Sequence, residues 1–403
     1  LLIYNGDIIT DLPIDRLMTG HMASNNTATL AVQDHGPDLR ITVDGHRVTD
    51  VRGLINQTEG THQFTGIYVI DHEILDLIPS NKKISIIPAF LELAERGQLG
   101  AFNAEERKLA NDLLGFKAHI VFPTSAFDQV LAAKEDRIKI GGIKALNKGM
   151  TEFCSVDERM HGAAYIPFAF GEEVALSFLK QAIQDHATVI MIDTIAPTGS
   201  KAFTHPDFDP VWKSIEENNL AVTLHVGADN GWDPVPLSFY NNGGQVPPHK
   251  EGDAPRDALA YMGISYNAEL FLASLIFDGI FTRFPNLRIG VVELGASWII
   301  SWMKHLDQSY RAFRRLQDLS HVKLLPSEYV QKHIKITPFP GEDIGWLLNN
   351  GCSELLMFAS DYPHHEGTDD PINRFEKTMV DVSEEKKKNF YSDNFKKLLA
   401  GSI

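Results

Sequence analysis

The sequence predicts an α/β protein: a (β/α)₈ TIM-like barrel that lacks its first strand, preceded by a partial Rossmann-like α/β unit. Seven apolar, strand-like runs alternate with helical stretches over residues 103–403, a pattern typical of a parallel sheet. Residues 1–102 lack this alternating pattern and contain a hairpin with an Asp-Gly turn. We therefore expect two domains, with the bounds 1–102 and 103–403.

The first part alternates short β-rich runs with two short helical stretches. Its helices are predicted over residues 71–78 and 86–96. Its strands are predicted over residues 1–4, 27–32, 39–43, 46–51 and 64–70, the third and fourth forming the hairpin. This pattern predicts a small mixed α/β unit.

The second part contains the seven runs that would form the barrel. They cover residues 118–122, 163–168, 188–192, 221–226, 287–293, 333–337 and 355–360. A closed barrel of this class has eight strands, so the first strand is the one expected to be missing. Residues 229–256 are rich in Asn, Gly and Pro, and they predict a long loop after a strand end.

Composition excludes several classes of partner. The 403-residue chain has a net charge of −16, so binding to nucleic acid or to an anionic membrane is not expected. Its two cysteines provide no disulfide framework, and we see no apolar run long enough to span a bilayer. We expect a cytoplasmic enzyme that acts on a small molecule.

Three of the predicted strands end in ionisable residues. Asp361 follows the last run, His225 lies near the end of the fourth, and Glu293 ends the fifth. The carboxyl ends of barrel strands carry the chemistry, and such residues can bind a metal or transfer a proton. Each also has a structural alternative: a helix cap for the Asp, a core histidine, and an ion pair for the Glu.

Five stretches, in this order, carry a family resemblance. They are residues 121–124, 225–227, 277–287, 293–298 and 360–364. With these motifs, residues from about 104 to 403 resemble the amidohydrolase-related ("amidohydrolase 2") family of metal-dependent hydrolases and decarboxylases. The segment 394–398 partly resembles the family's closing Asn-Ala-x-x-Leu helix.

This resemblance implies a distorted TIM barrel with one divalent metal, zinc or manganese. His225 and Asp361 match the family's ligands on the fifth and eighth strands, and Asp361 is also its proton-transfer residue. The family's first-strand His-x-His or Glu-x-His pair has no counterpart in this sequence. Glu293 stands where many relatives carry a catalytic His. By position, His364 and Trp232 are candidate substrate-binding residues.

Residues 1–100 resemble the middle of a sugar-phosphate nucleotidyltransferase. The matching stretches are residues 2–7, the hairpin at 44–45, residues 64–70 and residues 83–87. The resemblance implies that Asp7 binds Mg²⁺ beside nucleotide phosphates, a ligand set that suits this ion. The family's glycine-rich phosphate loop and its second metal-binding Asp are absent from the sequence.

Three functional interpretations stay open. The first is a metal-dependent hydrolase or non-oxidative decarboxylase of a small carboxylated or aromatic substrate, impaired by the missing ligands. The second is a sugar-1-phosphate nucleotidyltransferase in the first part. The third is an inactive chimeric fragment, since the two resemblances meet abruptly and each is incomplete. An incomplete barrel would also expose strand edges, which favour pairing into a homo-oligomer.

Overall fold

The computed structural model divides the chain into two compact units, Leu1–Lys117 and Ala118–Ile403. The border predicted from the sequence falls earlier, between residues 102 and 103. The structure describes residues 1–4, 12, 14–34, 38–57, 59–79, 85–103, 111, 115–194, 201–227, 235, 237–240, 242–244, 257–361 and 370–400.

The first unit contains a mixed six-stranded sheet. Its strands are β1 (Leu2–Tyr4), β2 (Ala28–Gln33), β3 (Ile41–Asp44), β4 (Arg47–Val51), β5 (Gln63–Ile70) and β6 (Leu99–Asn103), in the order β1-β5-β2-β6-β4-β3. Its helices are α1 (Ile14–Met22) and α2 (Ile87–Glu95), with a 3-10 turn at His72–Leu77. Of the neighbouring strands only β2 and β6 run parallel, so this sheet does not confirm a Rossmann-like unit.

A buried carboxylate stabilises the turn after β4. The side chain of Asp50 is fully buried and accepts hydrogen bonds from the backbone N–H groups of Leu54, at 2.8 Å, and Asn56, at 2.7 Å. The N–H of Ile55 also lies 3.2 Å from this carboxylate. Asp50 therefore provides the acceptors that this turn of backbone needs.

The second unit contains a curled parallel sheet that forms half a barrel. Its strands are β7 (His119–Val121), β8 (Met160–Ile166), β9 (Val189–Ile192), β10 (Ala221–His225), β11 (Arg288–Val292) and β12 (Ile334–Ile336), paired in sequence order. The seventh predicted run pairs with β12 through a parallel bridge between Leu356 and Ile336. Six of the seven predicted runs thus contain strands of one sheet, and the seventh joins it through this single bridge.

Helices and short helical turns connect these strands. The helices are α3 (Thr124–Leu131), α4 (Asp136–Cys154), α5 (Glu172–Gln184), α6 (Asp209–Glu217), α7 (Ala258–Gly263), α8 (Tyr266–Phe277), α9 (Ile280–Arg283), α10 (Ile299–Phe313), α11 (Pro326–His333), α12 (Ile344–Leu347), α13 (Pro371–Glu376), α14 (Glu384–Lys388) and α15 (Asn394–Leu398). The apolar sides of these helices bury one extended core against the sheet.

Amide groups bind strand backbone at two places in this sheet. Asn147 of α4 donates to the carbonyl of Tyr165 and accepts from its N–H, both at 2.9 Å, in the part of β8 that extends past its pairing with β7. At the edge beyond β12, Asn394 donates to the carbonyl of Leu356 at 2.8 Å, and Phe358 donates its backbone N–H to the carbonyl of Phe390 at 2.9 Å. These contacts satisfy backbone groups that a neighbouring strand would otherwise bind.

Two buried residues in the second unit are under strong structural constraint. A Cβ at Gly345 would lie 1.8 Å from the carbonyl oxygen of Thr378, so only glycine fits there. His333 is 2% exposed, stacks on Phe281 and bonds the carbonyl of Leu287 through Nδ1 at 2.8 Å. Burial lowers the pKa of His333 to about 4, so this imidazole is neutral at pH 7.

Among the described residues, Ala258–Phe277 has the length and apolar character of a membrane span, with a mean hydropathy of 1.3. This finding differs from the sequence-based expectation that no apolar run is long enough to span a bilayer. In the structure, α8 buries Phe271, Leu272 and Leu275 in the core, and core helices pass the same length test. Met262 and Leu270 lie on the surface, each 67% exposed.

Candidate functional site

The carboxyl ends of the parallel strands place several polar side chains along one edge of the half-barrel. These are Asp193 after β9, His225 at the end of β10, Glu293 after β11, Thr337 after β12 and Asp361 after the 355–357 segment. Because the strands are parallel, their carboxyl ends all lie at this edge. The sequence predicted that His225, Glu293 and Asp361 lie at strand ends. In the structure, His225 ends β10, Glu293 follows the neighbouring strand β11, and Asp361 follows the segment on the far side of β12.

His225 and Glu293 are in direct contact. Nε2 of His225 lies 2.9 Å from Oε2 of Glu293, and their side chains are only 8% and 11% exposed. Nδ1 of His225 lies 2.8 Å from the carbonyl oxygen of Val226. A carbonyl oxygen can only accept a hydrogen bond, so Nδ1 carries a proton and donates it. The ring is thereby oriented with Nε2 toward the carboxylate.

The ring of Phe122 packs on the imidazole of His225, with ring centroids 4.4 Å apart. Phe122 follows β7, which is three strands away from β10 in the sheet. In a flat sheet the two strands would be about 14 Å apart, since neighbouring strands are spaced by about 4.8 Å. The contact therefore shows that the sheet curls around the carboxyl end of β10.

The backbone at Glu293 adopts an unusual conformation. Its φ is +59°, a left-handed value that costs a non-glycine residue about 1 to 2 kcal/mol. The hydroxyl oxygen of Thr337 accepts the N–H of Glu293 at 3.1 Å, which holds this conformation. The Glu342 carboxylate accepts the N–H groups of Ala296 and Ser297 and fixes the loop that follows. Neighbouring strands thus hold Glu293 in a strained position beside His225.

Asp361 also has a left-handed backbone, with φ of +55°, and is partly buried at the same edge of the sheet. Within the described ranges, no group of three or more His, Cys, Asp or Glu side chains is arranged to hold a metal ion. The structure therefore brings His225 together with Glu293, and no third such ligand completes a set with them in those ranges. Asp7, Trp232 and His364 lie outside the described residues.

A buried pair at the carboxyl end of β9 was not identified from the sequence. The hydroxyl of Tyr165 donates to Oδ2 of Asp193 at 2.8 Å, and both side chains are fully buried. Burial raises the pKa of Tyr165 well above its ordinary value, and the Asp193 carboxylate raises it further. Asp193 directly follows the predicted strand 188–192, so the strand-end rule that selected His225 would also have selected Asp193.

A surface groove of about 550 Å³ lies elsewhere, between α10, α11 and the turn at residues 350–351. Its lining includes Asp307, Glu328 and Lys332, and none of the strand-end residues. We place the candidate site at the strand ends, where a buried pair of ionisable groups and two strained backbones occur together.

Comparison with known proteins identifies the family. The family model described as "Amidohydrolase" matches residues 113–400, which is more than half of the chain. The chain belongs to this family. It is therefore an enzyme of the hydrolase or lyase type, in a family of metal-dependent hydrolases and decarboxylases, as the motifs of the larger part predicted. The family match begins at residue 113, and the nucleotidyltransferase resemblance of residues 1–102 stays a prediction.

Solved structures of the family share the fold at low identity. An amidohydrolase from Mycobacterium avium subsp. paratuberculosis K-10 is 19% identical, with a TM-score of 0.60 over 93% of this chain and 100% of that one. A 2,6-dihydroxybenzoate decarboxylase from Rhizobium is 18% identical, with a TM-score of 0.56 over 82% and 95%. A 5-carboxyvanillate decarboxylase from Novosphingobium aromaticivorans, with bound manganese, is 20% identical, with a TM-score of 0.56 over 73% and 80%. No curated protein matches the chain.

Proposed function

We propose that this amidohydrolase-family chain is a non-oxidative decarboxylase of a small aromatic carboxylate and depends on a divalent metal. The observation that carries the proposal is the buried His225–Glu293 pair at the strand ends, 2.9 Å apart. Two decarboxylases of hydroxylated benzoates have a similar fold, one of them with bound manganese, and they support the choice of substrate class.

Some of the residues at the strand ends have side chains that can bind a divalent metal. An imidazole nitrogen and a carboxylate oxygen are donors that manganese and zinc both accept. His225 and Glu293 would hold the metal, and Asp361 lies at the same edge of the sheet. When bound, a divalent metal anchors the substrate carboxylate and neutralises its charge.

The chain's own residues would perform the remaining steps. Phe122, packed on His225, presents an apolar ring beside the pair and excludes water from one side. The bond between the ring carbon and the carboxylate breaks, its electron pair stays on the carbon, and CO₂ leaves. Asp361 in its protonated form then delivers its proton to that carbon.

Product analysis tests this proposal. The manganese-loaded chain is incubated with 2,6-dihydroxybenzoate and 5-carboxyvanillate, and the decarboxylated phenols are quantified by chromatography. We expect turnover that falls by about 100-fold or more in Asp361→Asn and His225→Gln, because each loses a group that touches metal or substrate. Glu354→Gln, at the opposite ends of the strands, is the matched control. Absence of turnover by the loaded wild-type chain would contradict the proposal.

Hydrolysis is the second candidate, and the family model's description favours it. In that version, Asp361 accepts the proton of the attacking water and passes it to the leaving group. Cleavage of an amide or lactone panel, without decarboxylation, would select this version. For residues 1–102, nucleotidyl transfer is a separate proposal that rests on sequence resemblance alone.

A further inference from the structure

The helical stretch 258–277 is apolar on both of its sides. Phe271, Leu272 and Leu275 pack into the core on one side. The exposed residues of the stretch carry no charge: they are Ala258, Leu259, Tyr261, Met262, Tyr266 and Leu270. Its single charged residue, Glu269, is half-buried, and its carboxylate accepts the hydroxyl of Ser265 at 2.7 Å. A helix that is apolar all round is normally buried on every side, whereas this stretch is covered on only one.

Four of these exposed side chains form a stripe along the helix axis. Leu259, Met262, Tyr266 and Leu270 follow one another at intervals of three, four and four residues, which is the spacing of a single helical face. The two residues that join α7 to α8 keep right-handed helical backbone angles, so this face continues from one helix into the next. We call these four residues the α7–α8 stripe.

Helix α6 of the same unit shows the pattern that is usual for a helix in contact with water. It buries Val211, Trp212 and Ile215 and exposes Lys213 and Glu217. The α7–α8 stripe has no such charged residue, although its side chains are exposed. A contiguous exposed apolar surface of this kind marks a site of interaction.

The exposed area is sufficient for a small protein interface. The side chains of the α7–α8 stripe are 43%, 67%, 50% and 67% exposed in chain order, and the adjacent Tyr261 is 46% exposed. At these fractions the five side chains present about 600 Å², so two copies packed face to face would bury about 1,200 Å² in total, about the smallest area of a specific, stable interface. Tyr and Met are also among the residue types enriched in such interfaces.

Charge favours a second copy of this chain as the molecule that covers the stripe. Each chain has a net charge of −16, so two chains repel each other over most of their surfaces. The α7–α8 stripe itself is uncharged, so this repulsion is weakest there. A membrane surface fits less well, because helices that lie on membranes carry Lys or Arg on their polar face, and residues 258–277 contain neither.

We propose that the α7–α8 stripe is the contact surface of a symmetric homodimer. A two-fold axis packs the stripe of one chain against the same stripe of a second chain, so that each apolar side chain meets an apolar surface. The inference concerns association and does not rest on the proposed reaction.

The same helices contact loops at the carboxyl ends of the strands. The ring centroid of Tyr261 lies 5.4 Å from that of Phe339, in the loop after β12. Nδ2 of Asn267 donates to the hydroxyl oxygen of Thr194, which directly follows Asp193, at 2.7 Å. A dimer formed through the stripe would thereby stabilise the helices that support the candidate site.

Sedimentation velocity of the full chain, at about 0.1 to 100 µM, measures the association. We expect a monomer–dimer equilibrium in this range. Leu270→Glu places a carboxylate in the stripe of each chain, so we expect the Kd of the dimer to rise by about 100-fold or more. Leu316→Glu is the matched control: the same substitution, at a leucine that is 81% exposed outside the stripe, should change Kd by less than about 3-fold. Circular dichroism verifies that both variants are folded.

Methionine oxidation locates the interface without any substitution. Met262 and Met22 are 67% and 72% exposed in the single chain, so peroxide should oxidise them at similar rates at high dilution. At concentrations where the dimer forms, we expect Met262 to be oxidised about 5-fold or more slowly than Met22, as measured by mass spectrometry.

Any one of three results would overturn the inference. They are a monomer at every concentration, a dimer whose Kd is unchanged in Leu270→Glu, and equal oxidation of Met262 and Met22 in the dimer. Flotation of the chain with neutral phosphatidylcholine vesicles, lost in Leu270→Glu, would assign the stripe to a membrane and would overturn the inference as well.

Discussion

Removal of the Asn394 amide should destabilise the second unit by about 3 kcal/mol, within a range of about 2 to 4. Asn394 is fully buried, and its Nδ2 donates to the carbonyls of Ser353 and Leu356, both at 2.8 Å. Each lost bond costs about 1 kcal/mol net, and each carbonyl left buried without its donor adds about 1 kcal/mol. Oδ1 of Asn394 has no hydrogen-bond partner among the described residues. Removing this buried, unpaired oxygen is favourable and offsets about 1 kcal/mol of the loss in stability.

Tryptophan fluorescence isolates the unit concerned. All five tryptophans lie within residues 118–403, so urea unfolding followed by this signal reports on the second unit alone. We expect the unfolding midpoint of Asn394→Ala to fall with an unchanged slope. Asn218→Ala, which removes a single exposed bond to Ser214, should change the free energy of unfolding by less than about 0.5 kcal/mol.

The isosteric variant Asn394→Asp decides between hydrogen bonding and packing. It keeps the volume but replaces the donor with an oxygen that faces two carbonyls. If hydrogen bonding dominates, Asn394→Asp is at least as unstable as Asn394→Ala. A variant Asn394→Asp markedly more stable than Asn394→Ala would refute the reasoning, because packing would then account for the effect.

Three further predictions concern buried positions. The folded-state pKa of His333, about 4, lies below the unfolded value of about 6.5. The neutral His333 side chain therefore contributes its full share of the free energy of unfolding above pH 6.5, and this share is lost as the pH falls toward 4. The loss should reach about 3 kcal/mol in that window, and His333→Asn should flatten the pH dependence of the urea midpoint. Gly345→Ala should cost about 3 kcal/mol by its clash with Thr378, whereas Gly141→Ala, with open space around it, should be neutral or stabilising; equal midpoints would contradict this. Asp50→Ala should speed hydrogen exchange of the three amides it accepts by about 10-fold or more, and unchanged protection would contradict its role in the turn.

Much of the second unit follows from local pattern. Apolar runs separated by helical stretches predicted six strands of the sheet and the segment that joins it by a bridge, because buried parallel strands have continuous apolar sequences. The rule that chemistry lies at strand ends selected His225, Glu293 and Asp361. The same rule missed Asp193, although Asp193 ends a predicted strand.

The sequence could not predict contacts set by the curvature of the sheet. Phe122 reaches His225 across two intervening strands, and Asn147 and Asn394 bind the backbone of Tyr165 and Leu356, 18 and 38 residues away. No local signal encodes such pairs. The strand order of the first unit was equally inaccessible, because short strands in a mixed sheet can pair in many registers.

The amides bound at the sheet edges bear on how copies of this chain could associate. An incomplete barrel was expected to offer its edges as templates on which a strand of another molecule could add. At Leu356 and Phe358, on the edge beyond β12, those backbone groups are already bonded within the chain, so strand addition there would first have to break existing hydrogen bonds. Self-association would therefore favour side-chain surfaces, such as the one exposing Met262 and Leu270, over extension of the sheet at that edge.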